Sequence, residues 1–429
     1  MNNKINSILF LLLLLSAFGC KEDPPVVPPP PPPPPVYKDT ITVTVEDVTH
    51  RSITVNIKTT VNNPKSTIRF FRIYNNNESQ VSEYPITVND TSIIDDNSGS
   101  GLQINTTYSY YAVRIDTTGI RKDSSNLVEA NTLDTTNQNY IWQEFIIGEM
   151  GSQLIDIWGT DENNVYACGS VTINDTVYGI LKWNGSEWLP EKKVGGFSTI
   201  FGFSNSDIWA VGGAVWHYDG TEWEEYTFRD PVITNNISYS SIWGTSSNNL
   251  YFGNIGGKII HWNGHSATVF ANLSAQRISD VYGLSRDFIL ASTSALAPPG
   301  EVFLYNGLTW NRFDELSINE LYKSVYPITK KEFYVTGEDI LLNRNGSWTI
   351  PYNLNVLMEC IRGNKNTGDI AAVGHFATIL HYNGSSWKEF KFSVTEYSPL
   401  TGVFITGNKI FAVGSYNSNQ ARIIIGTRN

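Results

Sequence analysis

The chain has 429 residues, with 30 basic and 41 acidic side chains and a formal net charge of −11 at pH 7. This length allows two or three domains. The acidic balance argues against a nucleic-acid partner, because no Lys- or Arg-rich stripe is available to release phosphate counterions. Three cysteines, at positions 20, 168 and 360, are too few for a disulfide framework. All twelve tryptophans lie between Trp142 and Trp387, which indicates a change in composition near residue 135.

The N-terminus has the pattern of an export signal. An apolar run over residues 8–19 follows Lys4 and is about half the ~20 residues that a membrane-spanning helix needs, so residues 1–19 are predicted to be a signal peptide. The run ends in "SAFGC", which resembles a bacterial lipobox. This resemblance implies that Cys20 is lipidated and that the membrane is a partner through the N-terminal lipid. An ordinary secretory signal with a chance cysteine is the alternative.

The residues after Cys20 indicate a surface location. Lys21, Glu22 and Asp23 resemble the acidic export tag of surface lipoproteins in the Bacteroidetes, which implies an outer-membrane protein exposed at the cell surface. Residues 24–35 contain ten prolines and two valines, and they favour a polyproline II stalk roughly 35 to 40 Å long. We therefore assign residues 20–36 to the lipidated cysteine and a stand-off spacer.

Residues 37–133 read as short alternating strands separated by Asn, Asp, Gly and Ser clusters, which predicts a seven-stranded β-sandwich. The stretch "LQINTTY" at 102–108 resembles the approach to the tyrosine corner of fibronectin type III domains, and the resemblance implies that Tyr108 is the corner residue. The chain departs from that family at Ile57, where a Trp is usual. We interpret this unit as a spacer or adhesive module, with a dedicated ligand-binding domain as the alternative.

Residues 140–429 repeat one pattern. First-strand segments recur at intervals of 36 to 44 residues, as "IWGT", "IFGF", "IWGT", "VYGL", "VYPI", "CIRG" and "VFIT". Each first-strand segment is followed by a second strand such as "NNVYACG" and then by a third strand. The third strand ends in an aromatic-Asn-Gly-x-x-Trp motif, whose Trp begins a fourth strand. Four strands per ~40 residues predict a β-propeller blade, and seven first-strand segments predict seven blades. The predicted fold class is therefore all-β, a fibronectin type III-like sandwich followed by a seven-bladed β-propeller.

The motif predicts a tight hairpin with positive φ at both central residues. Its Trp is expected to pack between neighbouring blades, with sugar binding as the alternative. The last repeat lacks the motif, whereas an unassigned strand around Trp142 precedes the first repeat, so this N-terminal strand is predicted to complete the seventh blade. The turn glycines are Gly185, Gly220, Gly264, Gly307, Gly346 and Gly384, and the fourth-strand tryptophans are Trp142, Trp188, Trp223, Trp310, Trp348 and Trp387.

These repeats resemble seven-bladed bacterial propellers that are loosely grouped with sialidase-type repeat proteins. With the fibronectin-like unit ahead of them, the arrangement resembles surface lipoproteins of Ignavibacteria and Bacteroidetes. The resemblance covers residues 37–429 and implies a fold rather than an activity. Loops that break the repeat, at 170–178, 227–239 and 292–300, are the candidate ligand loops.

The sequence predicts no convergent catalytic or metal-binding set. His217, His261 and His381 occupy equivalent third-strand positions in different blades, so they cannot meet within ~2.1 Å of one metal, and we expect surface histidines without a metal or other cofactor. The expected function is a monomeric binding or scaffolding protein for a glycan or a surface protein, without catalysis. The alternative is an enzyme acting on polysaccharide or peptidoglycan, a glycosidase or lyase, with acidic residues meeting at the propeller channel.

Overall fold

The computed structural model describes residues 40–60, 66–86, 89–226, 238–294, 300–316, 320–394, 397–417 and 419–429. Within these ranges the chain is all-β, as predicted, with a single 3-10 turn at His375–Ala377 and no α-helix. None of the described segments is a helix long and apolar enough to cross a membrane. The predicted signal peptide, Cys20, the Lys21 to Asp23 tag and the stalk lie outside the described residues.

The N-terminal unit consists of two antiparallel sheets around one core. One sheet has the strand order β1-β2-β5, and the other has the order β4-β3-β6-β7, with β8 also paired to β6. Ile57 and Phe70 are buried together between the sheets. The strands are β1 Thr40–Val48, β2 Ile53–Thr60, β3 Thr67–Tyr74, β4 Asn77–Pro85, β5 Asp90–Asp95, β6 Thr107–Ile115, β7 Arg121–Ser124 and β8 Val128–Asn131.

The sequence of β6 explains its place in this core. Tyr108, Tyr110 and Ala112 alternate along the strand and are all buried, as expected for a strand with one face on the core. The ring of Tyr110 stacks on Phe70 with centroids 5.4 Å apart. The hydroxyl of Tyr108 accepts a hydrogen bond of 3.0 Å from the backbone N–H of Gln103, which ties the loop before β6 to the strand.

Residues 140–429 form seven four-stranded antiparallel sheets, called here repeat sheets 1 to 7. Repeat sheets 1 to 6 each use four consecutive strands, whereas repeat sheet 7 has the order β34-β35-β36-β9. Sheets 1 to 3 consist of β10 Gln153–Asp161, β11 Asn164–Ile173, β12 Thr176–Trp183 and β13 Trp188–Lys192 in sheet 1; β14 Phe197–Ser204, β15 Asp207–Gly212, β16 Val215–Tyr218 and β17 Trp223–Tyr226 in sheet 2; and β18 Tyr239–Ser246, β19 Asn249–Asn254, β20 Lys258–Trp262 and β21 Ala267–Asn272 in sheet 3. Sheets 4 to 6 consist of β22 Ile278–Ser285, β23 Phe288–Thr293, β24 Glu301–Tyr305 and β25 Trp310–Arg312 in sheet 4; β26 Tyr322–Thr329, β27 Glu332–Gly337, β28 Ile340–Arg344 and β29 Ser347–Tyr352 in sheet 5; and β30 Met358–Gly363, β31 Ile370–Gly374, β32 Thr378–Tyr382 and β33 Trp387–Phe390 in sheet 6. Sheet 7 consists of β34 Leu400–Thr406, β35 Lys409–Tyr416 and β36 Gln420–Arg428 together with β9 Tyr140–Ile147, which precedes sheet 1 in the chain.

The first strands of the seven sheets close a ring. Each first strand contacts the first strand of the next sheet, and β34 of sheet 7 contacts β10 of sheet 1. Every first strand also has a break in its pairing register at the same place, where one residue is skipped. Such a β-bulge leaves the extra residue outside the ladder and bends the strand. The seven bulged residues are Ile155, Ser198, Ser240, Ser279, Lys323, Glu359 and Thr401.

In four of the seven sheets the side chain of the residue after the bulge joins its sheet to the next one. The Oγ of Ser241 accepts a hydrogen bond of 2.8 Å from the backbone N–H of Val281. The carboxylate of Asp280 accepts one of 3.1 Å from the backbone N–H of Val325 in the next sheet. Sheets 1 and 2 are joined in the same way by Asp156, and sheets 5 and 6 by Ser324. A small polar side chain at this position therefore satisfies a buried backbone donor of its neighbour.

Close packing between neighbouring sheets explains the glycine in the first-strand segments. A Cβ added to Gly202 would lie 2.7 Å from the Trp158 ring of the preceding sheet, and one added to Gly283 would lie 2.6 Å from the ring of Trp243. Real Cβ atoms do not come this close, so a side chain here would push the ring away. The glycine of the first-strand segment is thus an inter-sheet contact at Gly159, Gly202, Gly283 and Gly363, where the ring of one sheet packs against the backbone of the next.

The turn motif departs from its predicted geometry. In repeat sheet 1, Trp183 pairs with Trp188, so the loop has four residues rather than two. The side chain of Asn184 accepts backbone hydrogen bonds of 2.9 and 3.0 Å from the residues two and three positions later, and only Gly185 has a positive φ, at 99°. The Asn closes these loops as an Asx turn. The same pattern holds at Gly220, Gly264, Gly307 and Gly384.

Repeat sheet 5 has the two-residue turn that the motif predicted. Arg344 pairs with Ser347 across the hairpin, and both central residues have positive φ, 52° at Asn345 and 80° at Gly346. The difference follows from position. In this repeat the Asn-Gly pair lies two residues beyond the strand residue that pairs with Trp348, so the ladder continues for one more pair before the chain turns.

The motif tryptophans pack between rings. Trp223 is buried, and Trp188, Trp310, Trp348 and Trp387 are half-buried. In repeat sheet 6, Trp387 lies 5.2 Å from the Tyr382 ring across its own hairpin and 5.8 Å from the Tyr334 ring of sheet 5. Trp142 is on β9, where its Cα is the register partner of Gly426 in β36. Its ring packs on Phe390 of sheet 6 at 4.9 Å.

The N-terminal unit contacts repeat sheet 6 through His50. This side chain is 5 % exposed, and a Cβ at Gly384 or at Gly368 would lie 2.2 or 2.4 Å from its ring. The connection between the two units lies against the same sheet, where Gln138 Nε2 donates a hydrogen bond of 2.8 Å to the carbonyl oxygen of His381. The turn loop of sheet 6 that contains Gly384 is therefore one place where the N-terminal unit is held, and sheet 5 adds another, where Asn345 Nδ2 donates a hydrogen bond of 2.7 Å to Asp96 Oδ2.

This contact predicts a dependence on pH. Burial lowers the pKa of His50, although the charge of Asp369 opposes the shift. The docked state therefore favours neutral His50: its contribution is fully present above the unfolded pKa of about 6.5 and is lost as pH falls through the lower folded value. We expect faster hydrogen exchange in residues 132–139 at pH 5 than at pH 7.5, after correction for intrinsic rates.

The control for this prediction is His50→Gln, which removes the titrating group. In that variant the pH dependence of exchange in residues 132–139 should disappear, while β20, far along the chain, should be unaffected in both proteins. An equal pH response in wild type and His50→Gln would show that another group governs the contact.

Candidate functional site

The largest well-formed cavity lies at the start of the first strands. Its volume is about 610 Å³, and all seven bulged residues line it. We call it the channel cavity, because one strand of every repeat sheet contributes to its wall. It opens on the side where each first strand begins, next to the connections between sheets and the loops between second and third strands.

The wall of the channel cavity is polar. Hydroxyl groups come from Ser and Thr residues of sheets 2 to 5 and 7, and three basic and three acidic residues are added to them. None of the described residues in this lining is aromatic. The basic residues are Arg277, Lys323 and Arg362, and the acidic residues are Asp156, Asp280 and Glu359.

Arg362 and Asp280 form a buried ion pair across this wall. The guanidinium Nη1 lies 2.9 Å from Asp280 Oδ2, and Nη2 lies 3.1 Å from Oδ1, which is a bidentate arrangement. Burial alone would lower the pKa of Arg362, but the charge of Asp280 raises it well above its usual value. The guanidinium also donates to Ser324 Oγ at 2.9 Å and stacks 4.8 Å from the Tyr282 ring. Arg362 thereby links sheets 4, 5 and 6.

Asp156 has a structural set of partners. Its Oδ2 accepts hydrogen bonds of 2.7 Å from Thr199 Oγ1 and 3.1 Å from the N–H of Ile200, and its Oδ1 accepts one of 2.9 Å from the N–H of Ile157. Burial raises the pKa of Asp156 against the opposing effects of Arg362 and these hydrogen bonds. Both carboxylate oxygens are thus occupied in joining sheets 1 and 2.

A second charged cluster lies on the rim. The carboxylate of Glu359 pairs with two basic groups: its Oε2 lies 3.3 Å from Lys323 Nζ, and its Oε1 lies 3.0 Å from His375 Nε2. Burial acts to raise the pKa of Glu359, but the hydrogen bond from His375 and the charge of Lys323 outweigh it and hold the pKa below the usual value. Tyr397 extends this chain, with its hydroxyl 2.8 Å from His375 Nε2.

The rim also presents an exposed aromatic ring. Phe376 follows His375 in the loop between the second and third strands of sheet 6, and its side chain is 55 % exposed. Phe376 and Ala377 have φ values of 54° and 52°, in the left-handed region that ordinary residues rarely adopt. Non-glycine residues held there store strain of about 1–3 kcal/mol each and cluster at binding and catalytic sites. The loop therefore holds a phenyl ring in solvent, next in sequence to His375, which hydrogen-bonds Glu359 of the cavity wall at 3.0 Å.

The predicted histidines lie elsewhere. Each hydrogen-bonds a polar residue at the start of the second strand of its own sheet: His217 with Asp207 at 2.9 Å, and His261 with Asn249 at 2.7 Å. His381 is fully buried, so its assignment as a surface histidine was wrong; it faces Asp369 at 3.6 Å, beneath the docked N-terminal connection. No group of residues suited to holding a metal ion occurs in the described ranges.

Most of the other candidates also lie away from the cavity, whereas Ser294 and Cys360 line it. None of the turn glycines or fourth-strand tryptophans lines it. The 170–178 segment extends the β11–β12 hairpin, and most of 227–239 lies outside the described residues. Of the 292–300 loop, residues 295–299 also lie outside the described residues, and Ser294 lines the cavity. Cys168 and Cys360 are buried free thiols; burial raises the pKa of Cys360 to about 11, which keeps it protonated and unreactive.

Sequence reasoning missed the charged residues of the cavity, although one signal was present. The aromatic position of the first-strand segment holds Trp158, Phe201, Trp243, Tyr282, Tyr326 and Phe404 in six repeats and Arg362 in the "CIRG" segment. A charged residue in a position that is otherwise aromatic breaks the repeat and indicates a special contact. Arg277 and Glu359 carry no comparable signal, because bulged and connecting positions vary freely.

Two solved structures are similar to most of the chain. The WD40 β-propeller domain of Doa1 has 14 % identity and a TM-score of 0.52, over 68 % of this chain and 98 % of the other. YCF48 bound to D1 peptide has 15 % identity and a TM-score of 0.51, over 70 % of this chain and 98 % of the other. No protein-family model matches the sequence, and no curated protein does. At this identity the likeness establishes the fold, a β-propeller, for the greater part of the chain.

Proposed function

We propose that the protein is a lipid-anchored cell-surface scaffold whose seven-bladed propeller binds a segment of a partner protein in the channel cavity. The observation that carries this proposal is the cavity itself, about 610 Å³ and walled by one variable residue from each repeat sheet. The exposed ring of Phe376 at the rim supports a protein ligand, because aromatic anchors are enriched where proteins meet. The peptide in the YCF48 structure is an example of such a ligand on a similar fold.

Two alternatives compete with a protein ligand, namely a glycan ligand and a glycosidase activity. A glycan ligand has less support, because sugar rings commonly stack on aromatic faces and the described lining holds none, which leaves the single exposed ring of Phe376 outside the lining. A glycosidase needs one carboxyl group free to act as an acid and another as base or nucleophile. Each of the three carboxylates in the described cavity wall already accepts hydrogen bonds from neighbouring sheets or side chains.

The ligand proposal is tested by blocking the cavity. Ser198 is a half-buried bulged residue in the wall, so Ser198→Trp should fill the space with little effect on the fold. We expect a peptide array to bind the full chain carrying Cys20→Ser and to lose most binding when Ser198→Trp is added. Thr268→Trp, at an exposed position on β21, is the control and should bind as before. Binding that survives Ser198→Trp would place the ligand elsewhere.

We further propose that residues 37–133 form a fibronectin type III-like sandwich that carries the propeller. The strand orders β1-β2-β5 and β4-β3-β6-β7 support this, since they separate the strands as that sandwich does. The hydrogen bond between Tyr108 and the backbone of Gln103 supports the tyrosine corner. In this arrangement the sandwich and the stalk hold the binding cavity away from the membrane.

Membrane anchoring predicts a distinct result. If Cys20 carries lipid, Cys20→Ser should move the protein from the membrane fraction to the soluble fraction of cells that export it, because a signal-peptide core alone gives no anchor after cleavage. Fractionation and immunoblotting measure this. Asn3→Ser, which leaves Lys4, the apolar run and the lipobox intact, serves as the control, and retention of the Cys20→Ser protein in membranes would contradict lipidation at this site.

A further inference from the structure

The charged residues of the channel cavity differ in whether their side chains already have a hydrogen-bond or ion-pair partner. Asp280 pairs with Arg362, and Glu359 pairs with Lys323 and His375. Asp156 has all its close hydrogen bonds inside the wall. Arg277 also lines the cavity, with an exposed side chain. Desolvation by the surrounding wall lowers the pKa of Arg277 and the charge of Glu359 opposes that shift, yet within the described residues Arg277 has no ion pair and no side-chain hydrogen bond.

We infer that Arg277 is a subsite of the channel cavity that binds a carboxylate side chain, Asp or Glu, of the bound peptide. This inference rests on the peptide-binding role proposed above and names the chemistry of its ligand. A guanidinium presents a planar set of donors that matches a carboxylate in a bidentate pair. The other charged groups of the wall are already paired, so Arg277 is the group with donors left for a ligand.

The balance of charges in the cavity wall favours a ligand group that carries a single negative charge. Three basic and three acidic residues line the cavity, so its own charges balance. A carboxylate brings one charge to one unpaired guanidinium, whereas a phosphate would bring about two and leave an excess beside Glu359 and Asp280. The hydroxyl of Ser279, two residues from Arg277 and in the same wall, has no hydrogen-bond partner in the described structure and adds a neutral donor.

The chain offers a matched control for Arg277. Arg286 is also exposed and also lacks a charged partner within the described residues, but it lies beyond the far end of the same first strand, β22, and does not line the cavity. Substituting either arginine by Gln removes one positive charge from the same repeat sheet. The two variants therefore have the same net charge and differ in whether the charge faces the cavity.

The experiment uses an array of eight-residue peptides in which every Asp- or Glu-containing peptide has a twin with Asn or Gln in its place. We expect the full chain carrying Cys20→Ser to prefer the acidic member, and Arg277→Gln to weaken that binding about tenfold or more while the amide twins are unaffected. Arg277→Lys should recover part of the affinity, and Arg286→Gln should behave as wild type. Raising the salt concentration should reduce the preference.

The outcomes separate the two proposals. Equal binding of acidic and amide twins, with loss of both on Ser198→Trp, would overturn the role of Arg277 and leave the peptide-binding cavity standing. Peptide binding that ignores Ser198→Trp would overturn the cavity itself. Preference for phosphorylated over acidic peptides that depends on Arg277 would contradict a carboxylate ligand.

Discussion

Trp142→Ala is expected to lower the free energy of unfolding by about 3 kcal/mol, which is the range for removing a large aromatic side chain from a packed site. Its ring packs against Phe390 at 4.9 Å and Phe392 at 5.2 Å, and against the backbone of Gly426. Loss of the ring opens the contact between repeat sheets 6 and 7 at the point where the two ends of the ring meet. Urea unfolding followed by tryptophan fluorescence and circular dichroism measures the change.

The adjacent residue provides the control. Ile141 is on the same strand, β9, but points the other way and is 62 % exposed. Ile141→Ala should change stability by no more than about 0.5 kcal/mol, as is usual for exposed positions. Similar losses for Trp142→Ala and Ile141→Ala would mean that pairing of β9 with β36, rather than the packing of Trp142, stabilises the closure.

Arg362→Met is expected to have an effect of similar size, about 3 kcal/mol, for a different reason. The substitution leaves Asp280, which is 6 % exposed, as a buried carboxylate without a counter-charge. Replacing both residues, as Asp280→Asn with Arg362→Met, should be less destabilising than Arg362→Met alone, because no unpaired charge then remains. Thermal and urea unfolding of the single and double variants give this coupling directly.

The comparison is an exposed ion pair at Arg312, on the fourth strand of the sheet that contains Asp280. Arg312 pairs with Asp314 and Glu301 at the surface, and Arg312→Met should cost no more than about 1 kcal/mol. If Arg362→Met proves as mild as Arg312→Met, water in the channel cavity solvates Asp280 well enough to replace its partner. The buried pair would then serve the shape of the cavity more than the stability of the fold.

The sequence predicted the parts of the fold that repeat. A glycine after an aromatic residue recurs in four of the seven segments, and at Gly202 and Gly283 it lies against the ring of the preceding sheet, Trp158 and Trp243 respectively. The regular spacing of the segments reveals the repeat even where Pro327 or Ile405 replaces the glycine. The length of the hairpin loops was harder to predict, because it depends on whether the Asn side chain or the backbone closes the turn, and Asn345 and Asn184 differ in this although both precede Gly.

The channel cavity could not be predicted in the same way. Its charged residues act singly: Arg277 is outside any repeated segment, and Arg362 meets Asp280 from a sheet two repeats away. The docking of the N-terminal unit is equally hidden, because His50 reaches Gly384 across more than 300 residues and neither is unusual in its own segment. Contacts of this kind follow from the closed ring and not from any local pattern.

The bulge shared by the seven first strands separates recognition from folding. A bulged residue has no partner in the ladder, so replacing it leaves the strand pairing intact, and in this chain the seven positions already hold Ile, Ser, Ser, Ser, Lys, Glu and Thr. The residue that follows the bulge, by contrast, joins one sheet to the next in four of the seven sheets, at Asp156, Ser241, Asp280 and Ser324. Evolution, or a protein engineer, can therefore change what the cavity selects one sheet at a time while the ring that surrounds it stays the same.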